Sequence, residues 1–328
     1  MTPPPATIDP ALRAEAARAP RRWYTHGWNR PLAWELILGI TPRLPRFVLA
    51  PLHHVTTIIC FSAMVSERRA VRRNLRRVTG LTGRANLAMA YRVFFNFGRF
   101  LLAYAGLRDL DARRFREKLI DVEPIERILQ QVLDDGRGAI IMTMHLGHWD
   151  LGLKLMAGHQ VPVHVVMRHE DGVEVTRYAD EARAMPNLKV HQSGNSPLLA
   201  VELMTALRRG ELVAVQADRA VGAGSATMAI EFFGAPADLP TGPAQLAMAT
   251  GAPVVPIFVL FDRKDRYRLV TLPPMRFDRA PRGEQSETAL RAAMRTLAAG
   301  METVVSRYPD QWFNFYDIWP DGRGGDHA

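Results

Sequence analysis

The sequence predicts an α/β protein, a mostly parallel central sheet flanked by helices, with a helical region in front of it. Three observations carry this. From Ala139 onward, short apolar runs alternate with helix-like stretches; before that point the patterns are helical; and the chain has 328 residues, enough to bury a sizeable core without disulfides or metals. The hydrophobic fraction is 48% and the charged fraction 23%, ordinary for a globular protein. A single cysteine, Cys60, excludes an intramolecular disulfide framework and fits a reducing compartment.

Residues 1–20 hold Pro, Ala and Arg without an apolar run, and read as a disordered tail with no secretory signal. Residues 21–110 form the helical region. Within it, 32–66 (LAWELILGITPRLPRFVLAPLHHVTTIICFSAMVS) is apolar but interrupted by Pro42, Pro45 and Pro51, and carries Arg43, Arg46, His53 and His54. A transmembrane helix needs about 20 mainly apolar residues with few charges. The stretch from Phe47 to Ser66 has the length but also the proline and both histidines, so it reads as an amphipathic or re-entrant membrane-associating segment, ahead of a true span or a buried helix.

ERRAVRRNLRRV (67–78) comes next. Arg68, Arg69, Arg72, Arg73, Arg76 and Arg77 share one half of a helix, with Val71, Leu75 and Val78 on the other. This basic amphipathic helix suits an anionic membrane surface, as does the formal net charge of +9 from 42 Lys and Arg against 33 Asp and Glu. A solvated helix face competes with that reading. No nucleic-acid-binding motif accompanies the charge, so no nucleic acid partner is expected. Residues 84–106 form an aromatic helix in which Tyr91, Phe94 and Phe95 mark a packed face.

The α/β domain covers 111–320, and 321–328 is a second tail. A charged linker and amphipathic helix occupy 111–136 and end at an Asp-Asp-Gly-Arg-Gly turn. Strands are expected at 139–144, 161–167, 188–191, 211–216, 228–233, 252–261 and 267–272, and helices at 197–209, 243–250 and 285–307.

The first of these strands runs into His145-Leu146-Gly147-His148-Trp149-Asp150. Ligands of open α/β sheets bind beyond the carboxyl ends of strands. On a continuous helix, residues five apart do not face each other, but a strand–turn–helix lets His145 and Asp150 meet. A carboxylate on one ring nitrogen fixes the tautomer and leaves the other nitrogen to accept a proton. Three readings compete with this base and orienter: His148 as the working histidine; His145, His148 and Asp150 as metal ligands of a hydrolase; or a merely structural set in a non-enzymatic basic membrane-binding module. The metal reading lacks a further ligand cluster. No G-x-S-x-G, P-loop or G-x-G-x-x-G occurs, and no cofactor is expected.

Three later blocks make the His145 block more specific. Arg168 ends VVMRHE; Asp218 and Arg219 lie in VAVQADRAVG; and IEFFGAPADLPTGPAQLAMATGAPVVPIF joins Phe233-Gly234, Thr241-Gly242-Pro243 and Pro253-Val254-Val255-Pro256. In this order and spacing, over roughly 30–315, the chain resembles the lipid A late-acyltransferase-like branch of the glycerolipid (lysophospholipid) acyltransferase superfamily, with His145 and Asp150 as its H-x4-D motif. The resemblance implies an enzyme, an acyltransferase of that fold. His145 deprotonates a hydroxyl or amine of a lipid or glycolipid, Asp150 orients it, and the acceptor attacks the thioester of an acyl carrier protein or acyl-CoA. Arg168 and Arg219 contact phosphate or oxyanion, or else form surface ion pairs; Asp218 organises the site; Thr241 and Gly242 open a helix near the acceptor. The implied location is the cytoplasmic face of a bacterial inner membrane. Two departures from the family, Asp218-Arg219-Ala220 and the aromatic, acidic PDQWFNFYDIWP (309–320), leave the acceptor open and place the late aromatics at the membrane interface or in the core.

Overall fold

The computed structural model describes residues 44–105, 112–157, 161–167, 187–192, 198–219, 226–262, 266–279 and 284–319. The two expected tails, residues 21–43 and Arg168 lie outside the described residues.

Three helices come first: α1 (Arg46–Ala63), α2 (Val65–Thr79) and α3 (Gly83–Ala105). The apolar stretch and the arginine stretch meet at about 90° across Met64. Among the described residues no single helix is long and apolar enough to cross a membrane; the bent pair passes that test only jointly, by length and composition. Gly80, left-handed at φ 70°, ends α2.

The α/β part runs α4 (Ala112–Glu117), β1 (Leu119–Ile120), α5 (Val122–Asp134), β2 (Ala139–Thr143), α6 (Trp149–Ala157), β3 (Val163–Met167), β4 (Leu188–Gln192), α7 (Leu199–Arg208), β5 (Leu212–Gln216), β6 (Thr227–Phe232), β7 (Ala235–Pro240), α8 (Gly242–Thr250), β8 (Val254–Phe261), β9 (Tyr267–Thr271) and α9 (Glu284–Arg307), with a 3-10 turn at Pro309–Gln311. Seven strands form one sheet in the order β1-β9-β8-β2-β5-β3-β4. It is parallel except where β9 runs antiparallel to β8. The mixed α/β fold with a mostly parallel sheet flanked by helices is therefore present.

Strand alternation divides the core. Ala139 and Ile141 face one cluster, with Val71, Leu75, Val93, Phe94, Ile125 and Leu151 from α2, α3, α5 and α6. Ile140 and Met142 face the other, with Leu203, Ala244, Leu297 and Met301 from α7, α8 and α9. The N-terminal helices thus share an apolar core with the sheet.

One expected strand joins elsewhere. The run near 228–233 forms β6, which pairs with β7 in a separate antiparallel hairpin. The reason is local: Phe233 and Gly234 both have positive φ, 51° and 73°, which a two-residue hairpin turn requires.

Candidate active site

The carboxyl ends of β2 and β5 build the site. The two strands are parallel neighbours with Thr143 opposite Gln216. Two residues further on, in the same register, His145 meets Asp218. The His145 backbone N–H lies 3.1 and 3.2 Å from the two Asp218 carboxylate oxygens, and its ring Nδ1 lies 2.9 Å from Oδ1. An ionised carboxylate only accepts, so Nδ1 carries the proton and Nε2 is left as the basic atom. The His145 side chain is 17% exposed, enough for a reactant to reach one ring edge.

The turn after His145 is fixed by backbone contacts. Gly147 N–H donates to Gln311 and His148 N–H donates to Val259 O at 2.7 Å. Gly147 has φ 63°, and a Cβ there would stand 2.2 Å from Val259 O, so glycine is required. α6 starts at Trp149, whose ring meets His145 edge-on at 5.3 Å and stacks on Phe100 of α3 at 4.3 Å.

The third component is the C-terminal segment. Leu146 bridges to Trp312, and Phe313 N–H donates to His145 O at 2.7 Å. Trp312 Nε1 and Asn314 Nδ2 donate to Asp218 Oδ2 at 3.1 and 3.2 Å. Burial opposes ionisation of Asp218, yet the charge and hydrogen bond of His145, the charge of Arg219 and the bond from Asn314 hold its pKa well below the usual carboxylate range. At His145 burial and the Arg219 charge push the pKa down, partly countered by Asp218 and, more weakly, Asp150. The imidazole is therefore neutral near pH 7, the form a base requires.

The sequence expects Asp150 on His145; the carboxylate that bonds the His145 ring Nδ1 is that of Asp218. Asp150 is buried in the first turn of α6, and its charge favours the protonated forms of both His145 and His148. The physical reason is the strand register. It sets Asp218 directly opposite His145, whereas Asp150 lies on the helix that leaves the site.

His148 points into the core. It is fully buried, with Phe100, Phe261 and Tyr267 around its ring and, among the described residues, no hydrogen-bond partner on either nitrogen. Burial lowers its pKa to about 4. Among the described residues, which include His145, His148 and Asp150, no group of His, Cys, Asp or Glu is arranged to hold a metal ion.

Arg219 makes contacts to the C-terminal segment that the sequence readings did not anticipate. Its Nε donates to Asn314 Oδ1 at 2.6 Å, its guanidinium also donates to Phe313 O, and it lies over the Tyr316 ring. It holds the C-terminal segment and places a positive charge near His145. Thr241 precedes α8 but makes no side-chain cap; its hydroxyl and N–H both donate to Ala226 O, at 3.1 and 3.0 Å. Gly242 is exposed and a Cβ there would meet nothing within 4 Å. Because α8 leads into β8, which is parallel to β2, the N-terminus of α8 lies at the carboxyl edge of the sheet, the edge that carries His145. Trp312 and Asn314 as partners of Asp218 were missed by sequence reasoning.

The arginines of α2 are largely engaged within the protein. Arg68 donates to Phe61 O, Arg72 to Asn86 at 3.0 Å, Arg73 pairs with Asp317, and Arg77 lies over the Trp319 ring.

The sequence profile of a family described as bacterial lipid A biosynthesis acyltransferase matches residues 13–320. A phosphatidylinositol mannoside acyltransferase of Mycolicibacterium smegmatis is 26% identical over 259 residues, covering 76% of this chain and 78% of the relative. A protein of the same name from Mycobacterium tuberculosis H37Rv is 27% identical over 168 residues, 51% of this chain and 52% of the relative.

Proposed function

The chain belongs to the bacterial lipid A biosynthesis acyltransferase family, and from that premise we propose that it moves a fatty acyl group from the thioester of an acyl carrier protein or CoA to a hydroxyl or amine of a lipid or glycolipid. Acyl transfer itself follows from the family and from the relatives. A glycolipid acceptor draws support from the mannoside-acylating relatives.

The observation that carries the mechanism is the bond from His145 Nδ1 to Asp218. Nε2 takes the proton of the acceptor as its oxygen or nitrogen attacks the thioester carbonyl. The carbonyl π pair moves to oxygen, giving a tetrahedral oxyanion, and the positive field of Arg219 that already disfavours imidazolium also favours this anion. Collapse expels the thiolate, which recovers the proton from His145. Asp218 orients the ring and stabilises imidazolium in between. Asp150 assists through its charge. Arg168 would contact the substrate, and Thr241 and Gly242 would border the acceptor at the carboxyl edge of the sheet. The work takes place at the cytoplasmic face of the inner membrane, to which the helical region 21–110, with its arginine helix 68–77, attaches the enzyme.

Thiol release from acyl-CoA and acyl carrier protein, measured with membrane lipid extract and followed by mass spectrometry of the lipids, tests this. Wild type should release thiol and add one acyl mass to a lipid, and folded His145→Ala should lose most of that rate. An unchanged rate in His145→Ala would remove His145 as the base.

A further inference from the structure

α1 exposes an apolar face. Phe47, Leu52, Val55, Ile58 and Ile59 are between 44% and 79% accessible. Beside it, α1 and α3 border a groove of about 520 Å³. Its walls are Phe61, Leu87, Tyr91 and Phe95, and two exposed arginines, Arg84 and Arg92, line it as well. The two arginines are eight residues apart on α3, about 12 Å along the axis. Among the described residues neither makes an ion pair or hydrogen bond, in contrast to Arg68, Arg72 and Arg73 on α2.

We propose that this groove is a binding site for an anionic phospholipid of the bilayer, with an acyl chain against Phe61, Leu87, Tyr91 and Phe95 and the phosphate on Arg84 and Arg92. An exposed apolar face of this extent marks an interaction surface. Two guanidiniums at its groove, unengaged among the described residues, make the partner an anion with a hydrocarbon part, which describes such a lipid. The inference rests on the membrane reading above but moves the recognising charge from α2 to α3. It also orients the enzyme. α3 continues from the groove to Phe100, which stacks on the Trp149 ring beside His145. Phe95 of the groove is five residues from Phe100, about 7.5 Å along the axis, so docking at the groove sets His145 close to the lipid surface.

The test is flotation of the full chain with phosphatidylcholine vesicles, with and without phosphatidylglycerol. Wild type should favour the anionic vesicles. Arg84→Gln/Arg92→Gln should weaken that binding about thirty-fold, at roughly one kcal/mol per basic residue near the surface, and leave binding to neutral vesicles unchanged. Arg69→Gln, on α2 and outside the groove, should lose less. Ile58→Ser/Ile59→Ser should weaken binding to both vesicle types. Activity of the double arginine variant on detergent-dispersed acceptor should match wild type. Anionic binding within threefold of wild type in the double variant, or an equal loss in Arg69→Gln, would overturn the groove assignment and leave the membrane reading standing. Loss of activity in detergent would overturn it too, by giving the arginines a structural or catalytic role. Failure of wild type to bind either vesicle would overturn both readings.

Discussion

Replacing Asp218 by Asn separates the two carboxylates that compete for the orienting role. The two Asp218 oxygens accept from the His145 backbone and ring, from Trp312 Nε1 and from Asn314 Nδ2. An amide offers one acceptor in their place. If its NH2 faces His145, Nδ1 must accept, the ring proton moves to Nε2, and the base is lost. If its NH2 faces Trp312 and Asn314, three donors converge. Rotating the Asn314 amide to relieve this would surrender its 2.6 Å bond from Arg219. Hydrogen bonds to charged groups are worth about 1.5–3 kcal/mol each, so the second orientation destabilises the protein by about 2–4 kcal/mol. The first costs the wrong tautomer, about 100- to 10,000-fold in kcat by the usual yield of a positioned base. Thiol release measured beside thermal melts reads both. Removing the carboxylate charge also lowers the His145 pKa further, so the acid limb of the rate profile should move to lower pH while the plateau falls. If Asp218→Asn keeps a third or more of the wild-type rate while folded Asp150→Asn loses it, Asp150 and not Asp218 is the orienter.

His148→Phe tests the buried histidine. Its folded pKa of about 4 lies below the ordinary 6.5, so only the unfolded chain binds a proton between those values. The stability from keeping His148 neutral is complete above pH 6.5 and is lost as pH falls toward 4, by about 3 kcal/mol. Melts between pH 4 and 7 should therefore show a flatter acid decline in His148→Phe, with thiol release retained; loss of activity in a folded variant would make His148 part of the chemistry. Gly147→Ala places a Cβ 2.2 Å from Val259 O at a positive φ. It should lower stability by at least about 2 kcal/mol, and an unchanged melting temperature would show that the turn has room to relax.

Much of the fold was legible because its signals are local. Apolar runs between turn residues gave the parallel strands near the right positions, and the strand–turn–helix around Gly147 placed His145 at a strand end. The position of Asp218 just past a strand was legible for the same reason. Its pairing with His145 was not, because that depends on β5 lying beside β2, a neighbour relation between segments 73 residues apart. Without strand order, the five-residue spacing to Asp150 is the only carboxylate relation visible in the chain. The arginine helix shows the same limit. Its buried side, with Val71 and Leu75, was readable from periodicity, but the destination of Arg73 is Asp317, which no local pattern reports. Aromatic density in 309–320 indicated burial or an interface, and could not mark Asn314 as the residue bridging Asp218 and Arg219.

That C-terminal segment connects the two halves of the chain. On one side Trp312 and Asn314 donate to the carboxylate that orients His145. On the other it is gripped by the N-terminal helices: Asn74 donates to Asn314 O and Tyr316 O at 3.2 and 2.7 Å, Asn96 donates to Asp310 O at 3.0 Å, and Arg73 pairs with Asp317. Asn74 is 3% exposed, so its bonds have no water competing for them. The sheet supplies both His145 and Asp218, but the geometry between them is completed by a segment that α2 and α3 hold in place. The helices therefore also support the site. Through 310–317 they help hold Trp312 and Asn314 on Asp218, and so help fix the carboxylate that bonds His145 Nδ1.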